Sequence, residues 1–321
     1  MRLTEGSAGA RILAFGGYQP ARVVTNDELA ATVDTTDEWI RSRVGIASRR
    51  IAGPDETVAD MAVAAGGKAL AASGLSPGDI DLVIVATCTP EAQIPNTAAQ
   101  VARRLGISAP GAYDLNAACA GFCYALASAS DAVRTGTSRN VLVIGAEKLS
   151  QWIDWTDRST CIIFADGAGA AVVAPVTDPA EAGIGPVAWG SAGEMADKIY
   201  ITDRNSFIFQ EGQTVFRWAT TALHPVARQA CERAGVDPTE LAAFVPHQAN
   251  LRIVEGIARR LGAPQALVAD DIVTAGNTSS ASIPLALARM LERGEIPSGA
   301  PVLLLGFGAG ICYAGQVITV P

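Results

Sequence analysis

Unbroken apolar runs, rather than alternating ones, set the rhythm of this chain. They fall at residues 81–87, 141–145, 241–245 and 301–306 and are rich in Val, Ile and Leu. Strands of this kind are covered on both faces, as in sheets packed between helices. Residues 113–122 predict a short strand and a sharp turn, leading into an alanine-rich helix over 120–135; a further helix is predicted over Leu251–Leu261. The order then repeats. In the first half the strand at 81–87 precedes a helical segment, the strand–turn–helix around Cys119 and the strand at 141–145. In the second, the strand at 241–245 precedes a helix, a turn and helix around Asn277, and the strand at 301–306. Ile84 to Cys119 is 35 residues and Val245 to Asn277 is 32; Cys119 to Ile144 is 25 and Asn277 to Leu304 is 27. Two copies of one α/β unit explain these spacings most simply. Pro, Gly and Asp concentrate between Pro175 and Pro186, so the units are expected at 1–175 and 176–321, forming a layered α/β sandwich.

Composition narrows the class. With 321 residues, 49% of them hydrophobic, the chain is long enough to bury the core of one or two domains. No run of about eighteen apolar residues occurs, and residues 1–10 lack the charged-then-apolar order of a signal peptide. A cytoplasmic location is therefore expected, with no membrane insertion. The net charge of −8 speaks against nucleic acid as a partner. The cysteines at 88, 119, 123, 161, 231 and 312 lack the paired spacing of metal ligands, so no metal is expected. All but Cys119 read as packing residues of a reducing compartment.

Cys119 stands at the junction of strand and helix. There, unpaired backbone N–H groups and the positive end of the helix dipole are expected to favour thiolate over thiol. Two other polar groups interrupt apolar, strand-like surroundings: Pro246-His247-Gln248-Ala249-Asn250 and Gly276-Asn277-Thr278-Ser279-Ser280-Ala281-Ser282. Each has a plainer reading alone. A cysteine in an alanine-rich helix is a small buried hydrophobe, a histidine after an apolar strand is a satisfied core group, and Asn-Thr-Ser is a turn or cap. The chain has only two histidines, however, and His247 rather than His224 follows the buried-type strand. Together a Cys, a His and an Asn make a thioester-handling centre. Beyond them, Arg252, Arg259 and Arg260 occupy i, i+7 and i+8 of the helix after His247, either a solvated face or a docking surface for an acidic partner.

The chain resembles the β-ketoacyl-acyl carrier protein synthase III family, condensing enzymes of the thiolase superfamily that initiate type II fatty acid synthesis. The matching segments cover nearly all of it: Val33-Asp34-Thr35-Thr36-Asp37-Glu38-Trp39-Ile40, Ala118-Cys119-Ala120-Gly121-Phe122, Asp157-Arg158-Ser159-Thr160, Phe164-Ala165-Asp166-Gly167-Ala168-Gly169, 246–252, 276–282 and Gly306-Phe307-Gly308-Ala309-Gly310. The resemblance implies a duplicated, thiolase-like five-layered αβαβα sandwich assembled as a homodimer. By the same resemblance Cys119 takes an acyl primer from acyl-CoA, a substrate, with no resident cofactor. Malonyl-acyl carrier protein then loses carbon dioxide to an enolate held by His247 and Asn277. Backbone N–H groups of Cys119 and of Ala309, where the family usually has Gly, form the oxyanion hole. Trp39 and Arg158 sandwich the adenine of CoA, with Arg43 on phosphate and Asn250 near the pantetheine. Arg217, Arg252, Arg259 and Arg260 match or neighbour the family's basic patch for the carrier protein. Ile94 matches the residue that closes the acyl pocket from the partner subunit, and leaves acetyl, propionyl and short branched primers open. Trp152, Trp155 and Trp218 read as packing. Three other readings remain. One is a starter-unit enzyme of a polyketide or other specialised pathway. Another is a degradative thiolase, whose Cys-x-Gly motif is missing around Cys312. The last is a non-catalytic heterodimer partner or scaffold of the same fold, against which the joint presence of Cys119, His247 and Asn277 speaks.

Overall fold

Two mixed sheets of five strands, one from each half of the chain, share a single topology. The computed structural model describes residues 4–203 and 205–321; residues 1–3, at the head of the stretch read for a leader, lie outside the described residues. In the first sheet β1 (Gly9–Tyr18), β2 (Leu82–Ala86), β3 (Gly111–Leu115), β4 (Val141–Lys148) and β5 (Asp166–Val176) lie in the order β1-β5-β4-β2-β3. In the second, β6 (Ala188–Ser191), β7 (Ala243–Pro246), β8 (Leu267–Val268), β9 (Pro301–Phe307) and β10 (Cys312–Thr319) lie in the order β6-β10-β9-β7-β8. Each half thus places its first strand beside its fifth, the fifth beside the fourth, and the second between fourth and third. The second, third and fourth strands pair in parallel in both halves and the others antiparallel. The repeat read from spacing is a repeat of topology.

Helices fill three layers around these sheets. The relevant ones are α1 (Asp37–Val44), α2 (Val58–Ser73), α3 (Thr97–Arg104), α4 (Gly121–Arg134), α5 (Gly212–Ala234), α6 (Leu251–Leu261) and α7 (Ser282–Glu292). Ala62, Ala65 and Ala69 of α2 and Val101 of α3 cover the outer face of the first sheet against Val83 and Val85. Leu223 of α5 and Ile253 and Ile257 of α6 do the same for the second sheet against Phe244 and Leu303. Between the sheets lie α4 and α7, whose Phe122, Leu126, Ile283 and Leu287 meet the inward residues Ile84, Val143, Val245 and Leu304. Five layers, αβαβα, result. Odd and even positions of each central strand face different helical layers, both apolar, which is why the runs in the sequence do not alternate.

A cap over one end completes the scaffold. The paired strands Arg22–Thr25 and Ser48–Ile51, with α1, pack Ile40 and Ile46 against Leu149, Ile153, Phe164 and Ile272. The guanidinium of Arg49 is buried in this cap, donating to Asn26 Oδ1 at 2.8 Å and to the carbonyl of Ile162 at 2.9 Å. This packing sets α1, with Trp39 and Arg43, above the junction of the two halves.

Candidate active site

The two central helices begin in matching turns. Cys119 lies in the short turn Ala118–Ala120 that leads from β3 into α4, and Asn277 just precedes the turn Ser279–Ala281 that leads into α7. Asn116 Oδ1 accepts the N–H of Ala118 at 3.1 Å; Asn277 Oδ1 accepts the N–H of Ser279 at 2.8 Å. Ala118 (φ 46) and Ser279 (φ 51) both adopt the left-handed backbone, which costs a side-chain-bearing residue roughly 1–2 kcal/mol. Repeated strain of this kind, at the same step of both halves, marks a site rather than a defect.

Strand ends supply the rest. His247 follows β7 directly, Cys88 follows β2, and Gly308 and Ala309 lie between β9 and β10. Together with Cys119, Asn277, Ser279 and Phe307 they line a cavity of about 610 Å³. A side chain at Gly308 would place its Cβ 2.6 Å from Cys119 Cβ and 2.8 Å from Cys119 N, so the strand end can pass Cys119 only as glycine. That close passage lets the N–H of Ala309, with the N–H of Cys119 itself, reach the Cys119 sulfur.

The ionisation expected of Cys119 is corrected by the structure. Burial pushes the thiol up to about 12, against the pull of the Ser279 hydroxyl and the two backbone N–H groups. α4 starts only at Gly121, so the sulfur sits in the preceding turn, inside a desolvated pocket where withdrawal from water outweighs the helix end. At rest Cys119 is a thiol.

His247 is 2% exposed, and burial lowers its imidazole to about 3, so it is neutral at working pH. Its Nδ1 lies 2.7 Å from Ser282 Oγ, and that oxygen also accepts the N–H of Gln248 at 3.3 Å. Ser282 has its own O–H available to give to Nδ1, the arrangement that puts the ring proton on Nε2. Asn277 is fixed by similar reasoning. Its Oδ1 takes the Ser279 N–H, so the amide NH₂ is the end left to donate. His247 and Asn277 are two neutral donors lining one cavity with a thiol.

The depressed imidazole has a consequence for stability. Its pKa is lower in the folded chain than in the unfolded one, so the unfolded state binds the proton more tightly and stability falls as pH drops from 6.5 towards 3. Going from pH 7 to pH 5 is expected to cost about 2 kcal/mol through this group alone. Urea unfolding at both pH values should show that loss, and His247→Ala should remove it.

Other residues singled out in the sequence fall in three places. At the cavity mouth, Asn250 caps α6 by accepting the N–H of Arg252 at 2.9 Å and donates to the carbonyl of Arg43 at 3.2 Å, tying α1 to α6. Arg43, Asn250, Arg217 and Arg252 all line the cavity, and Arg252 lies 5.2 Å over the ring of Phe216. Outside it, the Arg158 guanidinium lies 4.7 Å from the Trp39 ring centroid and donates to the carbonyl of Asp34 at 2.6 Å. The two are in direct contact, so a base entering between them needs about 7 Å, two van der Waals layers, and must swing Arg158 aside. In the last turn of α6 the basic set divides: Arg259 pairs with Glu255 at 3.6 Å, and Arg260 donates to the carbonyl of Thr220 at 2.6 Å. Ile94 is 85% exposed and does not line this chain's cavity. Trp155 packs in the cap and Trp218 against Tyr313. Cys312 is not among the cavity residues.

Sequence reasoning missed Ser282, Cys88, Ser279 and Glu147. The Asn-Thr-Ser-Ser-Ala-Ser run was a visible signal, with more hydroxyls than a cap needs. A glutamate buried one residue before the end of β4 was another.

A duplicated αβαβα sandwich whose two central helices start at a shared cavity, with thiol, imidazole and amide lining it, defines a thiolase-like condensing enzyme. Comparison with known proteins agrees. Residues 113–193 match the family 3-oxoacyl-[acyl-carrier-protein] synthase III, and residues 231–320 match its C-terminal family. The chain is 59% identical to beta-ketoacyl-[acyl-carrier-protein] synthase III 4 of Streptomyces coelicolor, over 98% of this chain and 99% of that one. To synthase III 2 of Streptomyces avermitilis it is 58% identical over the same shares. Among solved structures, the priming β-ketosynthase of the R1128 polyketide pathway superposes with a TM-score of 0.95 at 45% identity, covering 100% of this chain and 98% of the other. The 3-oxoacyl-[acyl-carrier-protein] synthase III of Aquifex aeolicus superposes at 0.93 with 40% identity, covering 97% and 100%. The chain belongs to the β-ketoacyl-acyl carrier protein synthase III family.

Proposed function

We propose that this enzyme moves an acyl primer from acyl-CoA onto Cys119 and condenses it decarboxylatively with malonyl-acyl carrier protein, giving a β-ketoacyl-acyl carrier protein and opening a round of type II fatty acid synthesis. The observation that carries the reading is the convergence of a buried thiol with two neutral donors of fixed orientation. In the first half-reaction the sulfur attacks the thioester carbonyl, and the N–H groups of Cys119 and Ala309 receive the oxyanion. In the second, malonyl loses carbon dioxide, and His247 Nε2–H and the Asn277 amide receive the enolate oxygen. Neutral donors suit that step, because a charged imidazolium would bind the malonyl carboxylate and hold back its departure. Arg43 and Asn250 at the mouth would guide the CoA arm, with Trp39 and Arg158 opening for the adenine. No further cofactor is needed.

The direct test is intact-mass measurement after incubation with acetyl-, propionyl-, isobutyryl- and longer acyl-CoA. A gain of one acyl group on Cys119, discharged by malonyl-acyl carrier protein, is the expected result; no gain from any donor would overturn the reading. A starter-unit role in a polyketide pathway is the second reading, favoured by the likeness to the R1128 priming enzyme. Discharge by a polyketide carrier protein but not a fatty-acid one would select it.

The carrier protein is proposed to dock at the cavity mouth on Arg217 and Arg252, with Arg259 and Arg260 beyond. A local positive patch on an acidic enzyme orients an acidic partner. Arg252→Glu with Arg259→Glu is expected to raise the KM for malonyl-acyl carrier protein at least about tenfold, roughly 1.4 kcal/mol, and to leave acylation by acyl-CoA unchanged. An unaltered KM would return these arginines to a solvated face.

A homodimer is proposed on two features. Among the described residues β3 is an edge strand, and the segment that carries Ile94 runs beside it, Asn96 donating to the carbonyl of Ala112, with Ile94 exposed and outside its own cavity. Ile94 of a second copy would then close the acyl end of the pocket. A cytoplasmic setting agrees with the six cysteines, all free thiols. Among the described residues no helix is long and apolar enough to cross a membrane.

A further inference from the structure

His247 and Asn277 come from different elements, yet one run of sequence reaches both. Asn277 precedes the turn that leads into α7, and Ser282, five residues on, is the first residue of that helix. Ser282 is buried, and its hydroxyl meets two groups from the end of β7: His247 Nδ1 at 2.7 Å and the N–H of Gln248 at 3.3 Å. Among the described residues it has no other hydrogen-bond partner.

The backbone that carries those two groups is itself fastened. The buried side chain of Gln248 donates to the carbonyls of Pro246 at 2.8 Å and Ala269 at 3.2 Å, and its Oε1 accepts the N–H of Ile272 at 3.0 Å. The N–H of His247 goes to the carbonyl of Leu305 at 2.8 Å, and the Phe307 ring packs against the imidazole at 72°, with 5.2 Å between centroids. Neither partner of Ser282 is free to move away from it.

Counting protons then separates the two tautomers. A serine oxygen has one proton to give and two lone pairs to receive with, and one lone pair takes the Gln248 N–H. With the ring proton on Nδ1, the second lone pair would take that proton, and the hydroxyl hydrogen would be left buried without an acceptor, which is costly. With the ring proton on Nε2, the hydroxyl donates to Nδ1 and every polar atom of the group is paired. Nε2–H, which has no partner among the described residues, is then left for the cavity that His247 lines.

We propose that Ser282 is a positioning residue for the decarboxylation half-reaction, holding His247 as the Nε2–H tautomer with that N–H presented to the cavity. It does not touch substrate and acts through the imidazole alone. The head of α7 thus sets both enolate donors, Asn277 directly and His247 by way of Ser282. The role rests on the enolate site proposed above for His247; the tautomer does not.

The tautomer is therefore tested without any reaction. The chain has two histidines, so protein labelled with nitrogen-15 histidine gives two imidazole patterns, and His224→Gln assigns them. Long-range proton–nitrogen spectra of the wild type are expected to show His247 with a protonated Nε2 and a bare, hydrogen-bonded Nδ1. A protonated Nδ1 would overturn the inference whatever the enzyme does. Kinetics test the role. Ser282→Ala is expected to release carbon dioxide from malonyl-acyl carrier protein about tenfold more slowly, the weight of one hydrogen bond, with acylation by acetyl-CoA unchanged. In a His247→Ala background the same substitution should cost nothing further, because its effect runs through a ring that is gone. Unchanged release in Ser282→Ala would overturn the role, as would an equal tenfold loss in the His247→Ala background, the mark of a purely structural contribution. Failure of the underlying reading looks different: His247→Ala releasing carbon dioxide at the wild-type rate would remove the enolate site, and the role of Ser282 with it, while the spectra still report the tautomer.

Discussion

Cys119→Ser is expected to leave no detectable acyl-enzyme from any acyl-CoA and to lower condensation by about 10⁴-fold or more, the scale of losing a nucleophile. The substitution changes one atom and fills the same space, so the αβαβα core should hold. The chemistry does not survive it. The pocket already lifts a thiol to about 12 through burial, and an alcohol starts far less acidic. Intact mass after overnight exposure to acyl-CoA reads the result, with circular dichroism to confirm the fold. Acylation of the serine variant at the normal rate would reject Cys119 as the acceptor and move attention to Cys88, the other thiol on the cavity wall.

The second large effect separates the half-reactions. Asn277→Ala and His247→Ala should each still accept an acyl group from acyl-CoA, because neither side chain is needed where Ala309 and Cys119 N–H groups meet the oxyanion. Each should lower malonyl decarboxylation by roughly 10²–10³-fold, the loss seen when one preorganised donor to a developing oxyanion is removed. The His247 donor is neutral well above its lowered pKa, so decarboxylation in the wild type is expected to be independent of imidazole titration between pH 5 and pH 8. Carbon dioxide release, measured without any acyl donor, checks both statements. Unchanged release in either variant would remove that residue from the enolate site.

Much of this was legible in the sequence, for identifiable reasons. Strands with both faces covered betray themselves as unbroken apolar runs, so β2, β4, β7 and β9 were visible, as was their repetition. β6 and β8 were not. They are four and two residues long, at sheet edges, and mostly exposed, so no hydrophobic pattern specifies them. Cys119, His247 and Asn277 stood out as polar breaks in apolar surroundings. Their states did not, because ionisation depends on burial, and burial is set by contacts between halves more than 100 residues apart. The spacing of Arg252, Arg259 and Arg260 showed a shared face, and the pairing of Arg259 with Glu255, four residues earlier on the same helix, was within reach of the same spacing; the Thr220 carbonyl that engages Arg260 was not, because it comes from α5. The closed contact of Arg158 on Trp39 is of the same kind, a meeting of side chains from the cap and from the loop after β4.

The matching turns at the heads of α4 and α7 have a consequence for how such chains diversify. Cys119 belongs to one copy of the repeated unit and His247 and Asn277 to the other, and the turn that carries Cys119 is shaped by its backbone and by Asn116, not by the thiol. A single codon change at 119 is therefore expected to silence the proposed chemistry while leaving a fully assembled sandwich with its cavity intact. Lineages carrying several copies of such a chain hold ready-made, folded, inert siblings one mutation away, able to be recruited as binding subunits.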